Sequence, residues 1–318
     1  MESKLSIVVA NFGGKFDFIT SALLNSIKSV YTDIQVLVVG KDIPSQDIDL
    51  LNRLQENYPW AKSSPGSLRN ILWNQGLKIA KTEWVMFLDA DMLLLKNIDN
   101  YIEICEELKS DFVFTTRPAL PYWLNMGFLL IKKKPDTLAF FDKLVAEQIE
   151  NIKRNIGAGQ YTFQKMLGRS QEQIDEISTC MDTSKIFQFT QSGINFAGIS
   201  CEKLNNIYNI TPITDEVKVV HLKGTLGTVL LEDNKEDRFE RFLKVDIFNY
   251  SREEVFNMNQ RLVKWKAFSE YPDSDFPLDI YKYYIDNQYR KQAMSILYRS
   301  KVKLNQFVDY FNKKFSKH

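Results

Sequence analysis

The chain has 318 residues, 44% of them hydrophobic and 25% charged, with a formal net charge of +1. That length buries one large α/β core plus an appendage, or two small domains, and the near-neutral charge excludes a whole-chain nucleic-acid binder. Cys105, Cys180 and Cys201 are odd in number and widely spaced. They make neither a zinc framework nor a disulfide scaffold, which indicates a reducing compartment. No leader precedes the first apolar run at Leu5 and no run reaches bilayer-spanning length, so a cytoplasmic protein is expected.

Leu5 to Ala10 predicts a first strand, Phe18 to Tyr31 a helix and Ile34 to Val39 a second strand. This is a β-α-β unit, whose crossover should be right-handed. The intervening loop, Asn11 to Lys15, is too short for a phosphate-binding P-loop and lacks its Gly-Lys-Ser/Thr ending. Either it is a simple turn, or Ala10 and Phe12 meet a nucleotide base there, with Phe12 stacking. Pro44 to Tyr58 has helical spacing. Ser63 to Gly66 reads as a loop, with Ser67 as a cap for a helix from Arg69 to Ala80. Arg69 and Asn70 then sit on a first turn, where free backbone N–H groups and the helix dipole favour an anion.

The apolar run Trp84 to Leu88 ends in Asp89-Ala90-Asp91. Such a run reads as a strand buried on both faces, and ligands gather at the carboxyl ends of strands in open α/β sheets. Two carboxylates at that place repel each other. A hard divalent cation such as Mn²⁺ or Mg²⁺ relieves the repulsion and can hold a diphosphate. A strand-ending turn is the plainer alternative for the Asp-x-Asp.

Asn100 to Leu108 predicts a helix and Phe112 to Phe114 a strand. Asn125 and Gly127 stand just ahead of a core strand, Phe128 to Ile131, and Asp136 to Ile152 is an amphipathic helix. A helix starts near Gln160, and short strands are expected in Phe187 to Phe189 and Ser192 to Phe196. Val217 to Leu222 is a second buried strand, ending in His221 and followed by Lys223 and Gly224. Imidazole is a good third ligand for Mn²⁺, and Lys223 can neutralise phosphate as a point charge. A helix is expected within Arg238 to Phe248. The basic, aromatic segment from Ile280 to Lys317 has three readings: a helix on the core, an interfacial helix on anionic lipid, or a self-association surface.

Ser67-Leu68-Arg69-Asn70, leading through Asn74 to Ala80 into Phe87-Leu88-Asp89-Ala90-Asp91, resembles the nucleotide-sugar-dependent glycosyltransferases of the GT-A fold. The likeness is greatest to the retaining group around glycogenin and the bacterial galactosyltransferases (family 8-like). The resemblance, whose motifs span Leu5 to Thr225, implies a Rossmann-like mixed α/β sheet flanked by helices. The change to a highly charged composition beyond Leu231 puts its boundary between Leu231 and Ser251, giving a catalytic domain over residues 1–240 and a C-terminal helical appendage over 241–318. It also implies that Asp89, Ala90 and Asp91 hold the metal and donor diphosphate, with His221 as third metal ligand. Arg69, Asn70, Lys223 and Gly224 would contact the donor. Asn125 would reach the donor sugar, Gly127 would allow close backbone approach, and Gln160 would lie by the far face of the sugar. Asp91, Asn125 and Gln160 form the expected catalytic set. Gly159 stands where the family carries an acid before Gln160. The implied co-substrate is a nucleotide sugar, with UDP as the family's carrier, and the acceptor a hydroxyl on a glycan, lipid or protein. Two other readings stay open: a sugar-1-phosphate nucleotidyltransferase, and a silent nucleotide-binding module.

Overall fold

The computed structural model describes residues 4–12, 17–43, 47–58, 66–117, 123–156, 159–168, 186–222, 247–269, 280–287 and 300. The first strands and helices follow the predicted order: β1 (Leu5–Ala10), α1 (Asp17–Val30), β2 (Gln35–Val39), α2 (Ile48–Asn57) and α3 (Gly66–Ile79). Helix α2 starts later than its apolar spacing suggested. Helix α3 starts at Gly66, so Ser67 lies inside the helix and is not its cap. Next come β3 (Trp84–Leu88), β4 (Met92–Leu94), α4 (Asp99–Glu107), β5 (Phe112–Thr116), β6 (Leu124–Lys132), α5 (Pro135–Lys153) and α6 (Gln160–Met166). The hairpin β7 (Phe187–Gln191) and β8 (Ile194–Ser200) turns on Ser192 and Gly193, both at positive φ, and leads to α7 (Cys201–Leu204) and β9 (Val219–His221). Two positive-φ residues are what a tight two-residue hairpin needs.

Seven strands form one mixed sheet in the order β2-β1-β3-β6-β5-β8-β7, and β4 pairs with β9 in a separate two-stranded ribbon. β3 lies parallel to β1 and antiparallel to β6. Side-chain alternation splits each central strand between two cores. Val85, Phe87, Leu129 and Ile131 join the cluster under α2, α3 and α5, whereas Trp84, Met86, Leu88, Phe128 and Leu130 join the one under α1 and α4. Every side chain of β3 is therefore buried, as its unbroken apolar run demands. On the α5 side, Phe112 packs against Phe140, Phe141, Phe163 and Phe196 with ring centroids 5.3 to 6.4 Å apart. Burial of each such ring contributes about 1.5–3 kcal/mol.

β6 is longer than expected. Asn125 and Gly127 lie inside the strand, where the pairing with β5 jumps from Phe114↔Leu129 to Thr115↔Asn125. A bulge of this kind re-aims side chains next to a site.

The chain divides into two compact units: Met1–Tyr208 with Thr214–Leu222 and Phe268–Glu270, and Asn209–Ile213 with Lys223–Ala267 and Tyr271–His318. The first holds every described strand. In the second, α8 (Arg252–Phe268) buries Val255, Met258, Leu262 and Trp265, and its Arg261 holds the segment Asn209–Ile213. There too a 3₁₀ turn (Ile247–Asn249) sets Phe248 against Tyr284 of α9 (Ile280–Asp286). Among the described residues no helix is long and apolar enough to cross a membrane. The expected helix within Arg238 to Phe248 and most of the basic tail lie outside the described residues.

Candidate metal and donor site

Main-chain pairing assembles the site. The β3–β6 ladder extends one step past Leu88, because the Asp89 N–H donates to Gly127 O (3.0 Å). The chain then turns, with the Met92 N–H on Asp89 O (3.2 Å), and enters β4. β4 pairs antiparallel with β9 so that Met92 faces His221, and the Leu222 N–H donates to Asp91 O (2.9 Å). Three side chains from distant parts of the sequence are thus fixed by backbone hydrogen bonds to one spot.

One ligand atom each from Asp89, Asp91 and His221 lies within 4.8 Å of the others. His221 Nε2 is 3.2 Å from Asp91 Oδ1 and 3.8 Å from Asp89 Oδ2. Two carboxylate oxygens and one imidazole nitrogen converging this way fit a divalent cation of the Mn²⁺ or Mg²⁺ kind. The electrostatics differ between the two acids. Burial pushes the Asp89 carboxyl above its ordinary range, against the opposing pull of Arg69. Burial acts on Asp91 in the same sense, but His221 beside it outweighs this and holds Asp91 below that range. Asp91 therefore keeps its charge further into acid than Asp89 does.

Arg69, on the first turn of α3, ion-pairs with Asp89 and lies over the Trp73 ring, 4.5 Å from its centroid. A guanidinium at a helix N-terminus beside the cation ligands adds positive field where a diphosphate would lie. Asn70 points the other way: it is fully buried and donates to Gln148 Oε1 (2.9 Å) between α3 and α5. Asn125 is 3% exposed, and its Oδ1 accepts from the Gly127 N–H (2.8 Å) and from Asn205 Nδ2 (2.7 Å). A Cβ on Gly127 would come within 2.6 Å of Met92 Cε and 2.7 Å of His221 Cε1. The close approach this glycine permits in the structure is thus to the histidine and to Met92. Ala10 ends β1, buried, and Phe12 is half-buried against the core. Ala90 sits half-buried between the carboxylates. Lys223 and Gly224 lie outside the described residues.

Gln160 is the first residue of α6, and half-buried. Its predecessor Gly159 has φ 63° and ψ −112°, a backbone region that residues other than glycine rarely enter. An acid in its place would be strained in that backbone conformation. Three participants have no counterpart in the sequence reading: strand β4, Thr115 and Asn205. Asn205 Oδ1 is 2.8 Å from His221 Nδ1. A three-residue strand and a polar residue after a one-turn helix leave no periodic signal.

Residues 80–237 match the family described as nucleotide-diphospho-sugar transferase. This segment carries Asp89, Asp91, Asn125, Gly127, Gln160 and His221, and the match is in line with the resemblance to nucleotide-sugar glycosyltransferases. Several solved structures are similar. One is a glycosyltransferase involved in glycosylation of the major capsid of PBCV-1, at 14% identity over 71% of this chain and 98% of that one, with TM-score 0.43. Another is the glycosyltransferase GlyE of Streptococcus pneumoniae TIGR4, at 11% identity over 85% and 66%, TM-score 0.44. A third is the galactosyltransferase LgtC in complex with donor and acceptor sugar analogues, at 14% identity over 74% and 94%, TM-score 0.38. No curated protein sequence matches.

Proposed function

We propose that the protein is a metal-dependent glycosyltransferase that moves a sugar from a nucleotide diphosphate, with UDP as the carrier, to an acceptor hydroxyl. The observation that carries this reading is the convergence of Asp89, Asp91 and His221 at the strand ends, with Arg69 alongside. When bound, a divalent cation there offsets the diphosphate charge and stabilises it as leaving group. Arg69 adds charge stabilisation as the bond from the anomeric carbon to phosphate oxygen breaks. We take the transfer as retaining. Both site carboxylates serve as cation ligands in this reading, so the leaving phosphate oxygen accepts the acceptor's proton while the new glycosidic bond forms on the same face. Gln160 and Asn125 border the sugar in this scheme, and Lys223 and Gly224 the diphosphate. The catalytic part spans residues 1–240, with 241–318 as its helical appendage.

The test is a thermal-shift titration with UDP, GDP and their common sugars, each with and without Mn²⁺. A ligand that binds only the native state raises its apparent stability by mass action. The expected result is a Mn²⁺-dependent shift with a uridine diphosphate sugar that Asp91→Asn abolishes. A folded protein that shifts with none of these ligands ends the reading and leaves the carboxylate pair as a turn.

A further inference from the structure

His221 has two ring nitrogens, and only the deprotonated one can ligate a cation. Which nitrogen that is can be worked out from hydrogen bonds whose direction leaves no choice. The backbone N–H of Gly127 can only donate, so the Asn125 side-chain atom it meets at 2.8 Å is the carbonyl Oδ1. That oxygen can only accept, so the Asn205 atom 2.7 Å from it is the amino group Nδ2. A second path gives the same answer. Thr115 Oγ1 donates its proton to the main-chain carbonyl of Asn125 (2.9 Å), so it accepts from Asn205 Nδ2 (2.8 Å). Both amino hydrogens of Asn205 are thereby assigned. The atom it turns to His221 Nδ1, at 2.8 Å, is then its carbonyl oxygen.

A carbonyl oxygen at hydrogen-bond distance needs a proton on Nδ1. Thr115, Asn125, Asn205 and His221 are all buried, so water does not compete for these bonds. We infer that Asn205, held by Asn125 and Thr115, is a positioning residue that keeps the His221 proton on Nδ1 and so presents Nε2 to the cation beside Asp89 and Asp91. Without it the adjacent carboxylates would favour the opposite arrangement: Asp91 Oδ1, 3.2 Å from Nε2, would attract the proton to the nitrogen that must ligate. Asn205 opposes that pull. The Asn125–Gly127 pair has a role here apart from any contact with sugar, as the fixed end of the relay. Outer-shell partners of this kind typically account for 10–100-fold in metal affinity.

The inference rests on the cation assignment within the proposed function, but its readout does not depend on sugar transfer. The chain has two histidines, His221 and His318, so His318→Gln leaves a single ring to observe by ¹⁵N NMR. At about pH 9, above the ordinary imidazole range, Nδ1 should show the protonated-nitrogen signature. It should keep that signature when Zn²⁺, a diamagnetic probe, is added, while the Nε2 signal alone moves. An unprotonated Nδ1 in either state overturns the inference, with the network around His221 left unaltered. In Asn205→Leu the proton should pass to Nε2, and Mn²⁺ affinity measured calorimetrically should fall about 10–100-fold. Asn125→Ala, which keeps Thr115 as a partner for Asn205, should give a smaller change in the same direction. A variant that folds with the wild-type proton position and affinity removes Asn205 from the role. If the nucleotide-sugar titration fails while these results hold, the transferase reading falls and the relay stands.

Discussion

Two buried polar networks in this protein look alike in burial and differ in where they end. In the first unit, Gly127, Asn125, Thr115, Asn205 and His221 form a chain of donors and acceptors that finishes in a ring nitrogen facing two carboxylates. In the second unit, Arg261 is fully buried and donates to the carbonyls of Asn209 and Thr211 and to the Thr211 hydroxyl. Burial there pushes the guanidinium down to about 10, still charged at neutral pH. The Arg261 contacts satisfy backbone oxygens and tie a short segment to a helix. The His221 network leaves three ligand atoms gathered at one point. A polar network that ends in such a cluster is built to bind, and one that ends in main-chain carbonyls is built to hold.

That contrast predicts opposite phenotypes. Arg261→Met should cost about 2–4 kcal/mol of stability, because carbonyl oxygens lose their donors inside the fold. Its Mn²⁺ affinity, measured calorimetrically on folded protein, should match wild type. His221→Gln should do the reverse, losing Mn²⁺ affinity about 100-fold, equivalent to ~2.7 kcal/mol, with a smaller change in urea midpoint. An Arg261 variant that folds normally and loses the cation would break the distinction.

Gly127→Ala mixes the two effects. The added methyl meets the mobile end of Met92 at 2.6 Å, which can give way, and the His221 ring at 2.7 Å, which is pinned by Asn205. Overpacking of this kind costs about 1–3 kcal/mol. Because the ring is the stiffer neighbour, part of the cost should appear as weaker Mn²⁺ binding. Equal affinity with lowered stability would mean that Met92 absorbs the strain and the glycine serves the fold alone.

How much of this was legible in the sequence depends on the range of the interaction. β1 and β3 were readable because a strand covered on both faces is a near-continuous apolar run, broken in β1 only by Ser6, and this signal is local. Asp89, Asp91 and His221 were readable for a related reason: each ends a buried run, where polarity changes abruptly. β4 was not. Three residues carry no period, and its partner lies more than 120 residues further along the chain. The bulge that places Asn125 and Gly127 inside β6 comes from a register jump against β5, a property of two strands together. Asn205 follows a four-residue helix, and its role exists only once β5, β6 and β9 meet. Gly159 was legible as a departure from the resembling family, but its positive φ had to be seen to explain it.

Cys105 supplies the smallest test, as a buried titratable group that joins neither network. It lies on α4 in the core, 1% exposed, and burial pushes its thiol up from 9.0 to about 12. The sign of the consequence follows from linkage. In the unfolded chain the thiol ionises near its ordinary value, whereas in the fold it stays neutral until about pH 12. Between those limits the unfolded state binds fewer protons, so stability falls as pH rises. The slope is at most about 1.4 kcal/mol per pH unit. Cys105→Ala removes this loss at the expense of a small cavity, costing about 1 kcal/mol at neutral pH. Urea midpoints at about pH 8 should therefore favour the wild type. At about pH 10 the gap should have closed or reversed, because only the wild type carries the thiol penalty. A gap that stays constant with pH would mean that the Cys105 thiolate is tolerated in the core.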